Sequence, residues 1–218
     1  MKNVLPSLPD FVNALQARLK KPLPGKAIHQ QMEPATRRNF ANNWQHKELP
    51  RKSAVLILLF PEGDDIKTIF IQRNVYDGVH SGQIAFPGGR YEIFDKNLIN
   101  TALRETEEEV GVSQNAINPI GQLTEIYIPP SNFDVLPVVG WMAKAPILKI
   151  DPKEVTSAFC VSIAALTNPA NKSNQEVLLA NQQRLEVPCF TVDGKIIWGA
   201  TSMILNEFTE IVSPILKA

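Results

Sequence analysis

With 218 residues the chain is long enough for one well-buried domain with appendages, or at most two small domains. A hydrophobic content of 44% with 20% charged residues excludes a disordered tail protein. Equal counts of basic and acidic residues, 22 each, leave no global field to recruit nucleic acid or an acidic membrane, so an anionic ligand must be caught by local groups. The two cysteines, Cys160 and Cys189, sit in apolar settings too far apart for a zinc pattern or a disulfide framework, and both are expected as buried thiols. The first residues, MKNVLPSLPDFVNAL, lack an apolar signal region with a small-residue cleavage site, and no run approaches the ~18 apolar residues that cross a membrane. The expected location is the cytoplasm.

In chain order, LPDFVNALQARLK (8–20) has the spacing of an amphipathic helix, with Asp10 as its cap and Phe11, Leu15 and Leu19 on one face. KKPLPGKAIHQQMEP (20–34) reads as an irregular connector, and ATRRNFANNW (35–44) as a short helix. Residues 1–50 are thus expected as a helical extension, a dimer arm or a lid, ahead of a domain spanning 51–218. SAVLILLF (53–60) is a buried-strand run; the turn PEGDD leads into a second strand, KTIFIQRN, and the pair reads as a hairpin. VYDGVHSGQIAFPGGRYE is loop-like, with Gly78, Gly82, Gly88 and Gly89 allowing close backbone approach.

DKNLINTALRETEEEVGV reads as a strong helix starting near Lys96 and stopped by Gly111. Its four glutamates repel one another, which weakens a helix unless something outside it compensates. At ~100° per residue, Glu105, Glu108 and Glu109 gather on one face and Glu107 points away, while Ile99, Leu103, Thr106 and Val110 form a packing stripe. Such a run is either a solvated surface or a site for a hard divalent cation, which takes a few carboxylate oxygens plus water and phosphate. Arg104 favours the second, because an Arg four residues before Glu108 is the poorer orientation for helix stability but a good one for holding a carboxylate. The glycine loop FPGGR at the start of the helix favours it too.

QLTEIYI (122–128) and VLPVVGWMA (135–143) follow as short strands around PPSNFD, a segment that either lines a cleft or forms a rigid surface loop. PKEVTSAFCVSIAALTNP reads as a strand and a helical turn, and RLEVPCFTVDGKIIWG as a hairpin on Asp-Gly. TSMILNEFTEIVSPIL closes the chain as an amphipathic helix. Strands mostly in hairpins with few helices between them indicate an α+β fold with mixed sheets.

GGRYEIFDKNLINTALRETEEEVGV resembles the Nudix box, G-x5-E-x7-R-E-U-x-E-E-x-G-U with U apolar. Gly89, Arg104, Glu105, Glu108, Glu109, Gly111 and Val112 match. Asp95 stands where Glu is usual, one residue further from the Arg, and Thr106 occupies an apolar position. The variant is similar to boxes of the coenzyme A pyrophosphatase branch, whose upstream pattern L-L-T-x-R-[SA]-x3-R-x3-G-x3-F-P-G-G appears as IFIQRNVYDGVHSGQIAFPGG. Arg73, Gly82 and Phe86 to Gly89 match, as does His80 to Gln83 as an HxGQ element; Asn74 replaces Ser or Ala, and Gly78 replaces the second Arg.

The resemblance implies a Nudix-type α/β/α sandwich with a mixed sheet and a catalytic loop-helix-loop, and Mg²⁺- or Mn²⁺-dependent hydrolysis of a diphosphate linked to another moiety. It assigns Glu105, Glu108 and Glu109 to the metal, with the Gly89 carbonyl; Arg104 orients a glutamate, and Asp95 caps or braces the helix. Glu154 or Glu125 is available as general base. Arg73, His80, Gly88 and Arg90 are the substrate-contacting candidates, with His80 touching a phosphate or holding its loop. The leading expectation is cleavage of coenzyme A or an acyl derivative. A Nudix hydrolase of another nucleoside diphosphate derivative and a non-catalytic nucleotide sensor are the alternatives. Small-molecule nucleotide-type ligands, no nucleic acid, no membrane and a homodimer complete the expected partners.

Overall fold

The apolar run beginning at Ser53 becomes the strand on which everything else is built. The structure is a computed structural model describing residues 7–35, 46–76, 78, 80–179 and 183–217. β1 (Arg51–Glu62) turns through Gly63 and Asp64 into β2 (Asp65–Arg73), with Glu62 opposite Asp65 and Gly63 supplying a φ of +61°. β1 also runs parallel to β7 (Phe133–Trp141) from Arg51↔Phe133 to Leu59↔Trp141. Its first half pairs antiparallel with β4 (Gly88–Arg90), placing Ala54 opposite Gly89. β2 pairs with β3 (Ile84–Ala85) and β8 (Val155–Ser162), and β7 with β5 (Asn118–Gln122) and β6 (Ile126–Ile128). The result is a mixed eight-stranded sheet, beside which β9 (Lys172–Leu178), β10 (Arg184–Val192) and β11 (Lys195–Trp198) form a second, antiparallel one.

Period two sorts the side chains of β1 between two layers. Ala54, Leu56, Leu58 and Phe60 join Ala102, Leu103 and Val110 of α3 (Leu98–Val110). Ile57 and Leu59 join Phe11 and Leu15 of α1 (Leu8–Leu19) and Phe208 and Val212 of α5 (Ala200–Leu216). A strand buried on both faces must be apolar throughout, which is why SAVLILLF lacks polar alternation. Helices on both sides of a mixed sheet give the α/β/α sandwich expected.

Several local expectations are corrected. Ser7 caps α1, accepting from the Asp10 backbone N–H at 3.4 Å, while Asp10 sits in the first turn and accepts the Ser7 hydroxyl at 2.6 Å. The connector folds into α2 (Lys26–His29) and a 3-10 turn (Gln30–Met32), because His29 and Met32 are buried. The strand expected at 122–128 is broken between β5 and β6, since the Thr124 backbone N–H donates to Glu207 at 3.1 Å. Cys189 is buried but Cys160 only partly so. Two of the loop's residue groups form β3 and β4, and α4 (Ile163–Thr167) follows β8 as expected. Beyond residue 35, the helix expected over 35–44 lies outside the described residues.

Candidate active site

Asn97 caps α3 by accepting from the Asn100 N–H at 2.9 Å, and Gly111, at φ +72°, ends it. Ahead of the cap, Asp95 is 4% exposed and receives four hydrogen bonds: Arg104 Nε (2.7 Å) and Nη2 (3.0 Å), the Thr101 hydroxyl (2.9 Å) and the Glu92 N–H (2.9 Å). The hydrogen bond from Arg104 leads in holding the Asp95 carboxyl down at about 2, well below the usual carboxylate range. Thus braced, Arg104 reaches the Glu105 carboxylate at 2.9 Å, Glu108 at 2.7 Å and the Arg90 carbonyl at 3.0 Å. Thr106, at the apolar position of the motif, is fully buried and satisfies its hydroxyl on the Ala102 carbonyl at 2.7 Å.

The three clustered glutamates have different environments. Glu109 is 2% exposed and accepts from the Gly88 N–H at 2.9 Å, with Arg73 Nη1 at 3.8 Å. Burial pushes its carboxyl up to about 8 against the pull of Gly88 and Arg73, and Glu105 and Glu154 push it further. Glu105 is raised as well, first by burial, with Arg104 opposing and Glu108 and Glu154 adding to the rise. Glu108 extends into solvent beyond Arg104. Glu107 lies apart, accepting from Gln114 at 2.8 Å.

Gly89 lies directly against Glu105: a Cβ there would meet the carboxylate at 2.3 Å. Gly88 has a φ of +153°, and a Cβ would meet the Ala54 carbonyl at 2.3 Å. These two residues let β4 pass between β1 and the acidic face of α3. Gly78, where the resembled pattern has an Arg, has its Cβ space filled by the Tyr76 ring, 2.3 Å away. Glu154 is exposed on the turn before β8 and within electrostatic reach of both Glu105 and Glu109. Glu125 is instead paired with Lys52 at 2.7 Å.

On the other side of β4 a cavity of about 260 Å³ opens. Arg73, His80, Gly88, Gly89 and Arg90 line it, so the structure brings all four substrate-contacting candidates to one place. His80 Nδ1 lies 3.2 Å from Gln83 Oε1, and burial lowers the imidazole pKa. The remaining wall is mainly apolar: Val55, Ala85, Phe86, Ile128, Phe133 and Val135, closed by Ala200, Thr201 and Ile204 of α5. Ser131 and Phe133 thus place the PPSNFD segment at the cavity. Arg73 Nε and Ser131 Oγ are buried there without a hydrogen-bond partner among the described residues. The contribution of α5 had no signal in the sequence beyond an amphipathic pattern.

Among the described residues no three carboxylate, imidazole or thiolate side chains form a ready-made metal cage. The donor chemistry nevertheless fits Mg²⁺ or Mn²⁺. Glu105 and Glu109 are oxygen donors raised by burial and by neighbouring carboxylates, which a cation would relieve, and the Gly89 backbone lies against Glu105. Mg²⁺ needs only one or two carboxylates when water and phosphate complete its shell.

The fold is thus a mixed sheet between helical layers, with an arginine-braced acidic helix lying against a glycine strand. The NUDIX domain model matches residues 50–182, and the chain belongs to the Nudix family, as a Nudix hydrolase. It is similar to the uncharacterized Nudix hydrolase NudL of Photorhabdus laumondii, 29% identical over 206 residues that cover 94% of this chain and 98% of that protein. Nudix hydrolase 22, chloroplastic, of Arabidopsis thaliana is 34% identical over 75% of this chain and 56% of its own length. The mitochondrial coenzyme A diphosphatase NUDT8 of Homo sapiens is 27% identical over 76% of this chain and 71% of its own. In fold the chain is similar to the Nudix hydrolase RenU of M. smegmatis, with a TM-score of 0.54 at 13% identity, covering 77% of this chain and 89% of that one.

Proposed function

We propose that the chain hydrolyses the diphosphate of coenzyme A or an acyl-coenzyme A to 3',5'-ADP and 4'-phosphopantetheine or its acylated form. The observation that carries this reading is the mainly apolar cavity on one side of β4, with the Glu105 carboxylate on the other. A substrate with an apolar arm attached to a diphosphate suits that juxtaposition. Similarity over 76% of the chain to a protein described as a coenzyme A diphosphatase supports the same substrate.

Glu105, Glu108, Glu109 and the Gly89 carbonyl would hold Mg²⁺ or Mn²⁺, which supplies charge neutralisation on the diphosphate and a more acidic attacking water. Arg104, fixed by Asp95, holds Glu105 and Glu108 in place. Glu154, exposed near the other carboxylates, accepts the proton of the attacking water. Arg73, His80 and Arg90 meet the phosphates from the cavity side. The Tyr76 ring occupying the space at Gly78 favours a second reading, another nucleoside diphosphate derivative such as ADP-ribose.

The test is a product assay with Mg²⁺ or Mn²⁺ and coenzyme A, ADP-ribose, NADH and 8-oxo-dGTP in parallel, with Glu105→Gln as the blank. Release of 3',5'-ADP from coenzyme A, lost in the variant, is the expected result. Turnover of another compound alone would replace the substrate while keeping the chemistry. No metal-dependent turnover at all would leave a nucleotide-sensing module.

A further inference from the structure

Among the described residues Glu154 has no side-chain brace comparable to the one Asp95 gives Arg104, yet its backbone is held on two sides. The turn that carries it forms by itself: the Asp151 side chain accepts from the Lys153 N–H at 2.9 Å, and the Asp151 carbonyl accepts from Glu154 and Val155 at 3.1 and 2.9 Å. One side is pinned to α3, where the Asp151 N–H donates to the Glu109 carbonyl at 3.1 Å. The other side is pinned by Asn74 alone among the described residues of its loop.

Asn74 commits all four of its polar groups. Its side-chain Nδ2 donates to the Pro152 carbonyl at 3.1 Å, and its Oδ1 accepts the Thr156 hydroxyl at 2.7 Å. Its backbone N–H donates to the Glu154 carbonyl at 3.4 Å, and its carbonyl accepts from Gly82 at 3.2 Å. These contacts straddle Glu154, with Pro152 two residues before and Thr156 two after. They fall where the β2–β8 register shifts between Gln72 and Arg73, so that Arg73 faces Val155 and Thr156 is left out of the ladder. The residue before Asn74 is Arg73, which lies 3.8 Å from Glu109.

We propose that Asn74 is a positioning residue that sets the place of Glu154 relative to the carboxylates of α3. The inference rests on the reading above, in which Glu154 takes the proton of the attacking water. The amide fork is the chemistry the job needs, because one side chain must donate to a carbonyl and accept from a hydroxyl at once. Since the turn forms through Asp151, losing Asn74 lets it shift rather than unfold.

The test is a double-mutant cycle with Asn74→Ala and Glu154→Gln, on the full chain and with the diphosphate substrate that the wild type cleaves, alongside Mn²⁺ titration of each variant. Asn74→Ala is expected to lower kcat by about 10- to 100-fold, with KM and Mn²⁺ affinity within about threefold. In the Glu154→Gln background the same substitution should cost nothing further, because its effect passes through Glu154. Thr156→Val, which removes one contact, should lower kcat in the same direction but less, and serves if Asn74→Ala fails to fold. An equal loss from Asn74→Ala in both backgrounds, or a parallel loss of Mn²⁺ affinity, would overturn the inference and leave the role of Glu154 intact. Full activity in Glu154→Gln alone would instead overturn the proton-acceptor assignment, and the inference with it.

Discussion

At the scale of single residues, adjacent glycines in β4 separate stability from activity. Gly88 combines a φ of +153° with a backbone carbonyl 2.3 Å from where its Cβ would be, so neither strain nor clash can be relieved by moving a side chain. Gly88→Ala should cost about 3 kcal/mol of stability, read as a lower midpoint in urea. Gly89 has no positive φ, and the three atoms nearest to its Cβ would all belong to the Glu105 carboxylate, the end of a side chain that can move. Gly89→Ala should therefore keep its midpoint while kcat falls by about 10- to 100-fold, because the displaced group is one proposed to hold the metal. Asp95 adds a pH dependence. Its folded pKa of about 2 lies below the ordinary carboxylate value, so its contribution is complete above pH ~4 and is lost as pH falls through about 2. The melting temperature of Asp95→Asn should lie below wild type at pH 6, with the gap closing toward pH 2.

At the scale of elements, α3 was readable because its sequence carries stop, packing stripe and acidic face together; its cap, Asn97, emerged only in the structure. The exception at Thr106 is informative: its hydroxyl is satisfied within the helix, on Ala102, so the site is apolar in effect. Thr106→Val should change stability by less than about 1 kcal/mol and leave kcat unaltered, which thermal melts and steady-state assays would check. β1 and the Asp-Gly hairpin were readable for the same reason, since local pattern and turn chemistry agree. β9 was not: six of its seven residues are exposed, and only pairing with β10 makes KSNQEVL a strand. The site divides likewise. Arg104 with its glutamates is local in sequence, but the cavity joins Val55, Ser131 and Ile204, whose meeting depends on the whole sheet and on α5.

At the scale of the whole molecule, one buried carboxylate joins three distant stretches of chain. Glu207, on α5, is fully buried and accepts from the Gly25 N–H at 2.9 Å, the Thr124 N–H at 3.1 Å and the Thr124 hydroxyl at 2.6 Å, with His29 Nε2 at 2.9 Å. Burial pushes its carboxyl up, but hydrogen bonds from His29, Thr124 and Gly25 together outweigh it and leave the pKa lowered. The carboxylate thus ties α2 and the segment between β5 and β6 to α5, the helix that also supplies Ala200, Thr201 and Ile204 to the cavity. Glu207→Ala leaves the His29 imidazole and two backbone N–H groups without an acceptor in the interior, and should cost about 3–5 kcal/mol. Because α1 shares its core with α5, amide exchange should rise first across residues 8–32, ahead of global unfolding. Exchange confined to that segment, with β1 still protected, would mean that the N-terminal part opens as a unit; uniform loss of protection would mean that it folds together with the sheet. The first result is expected, since β1 keeps its entire α3-facing core in the variant.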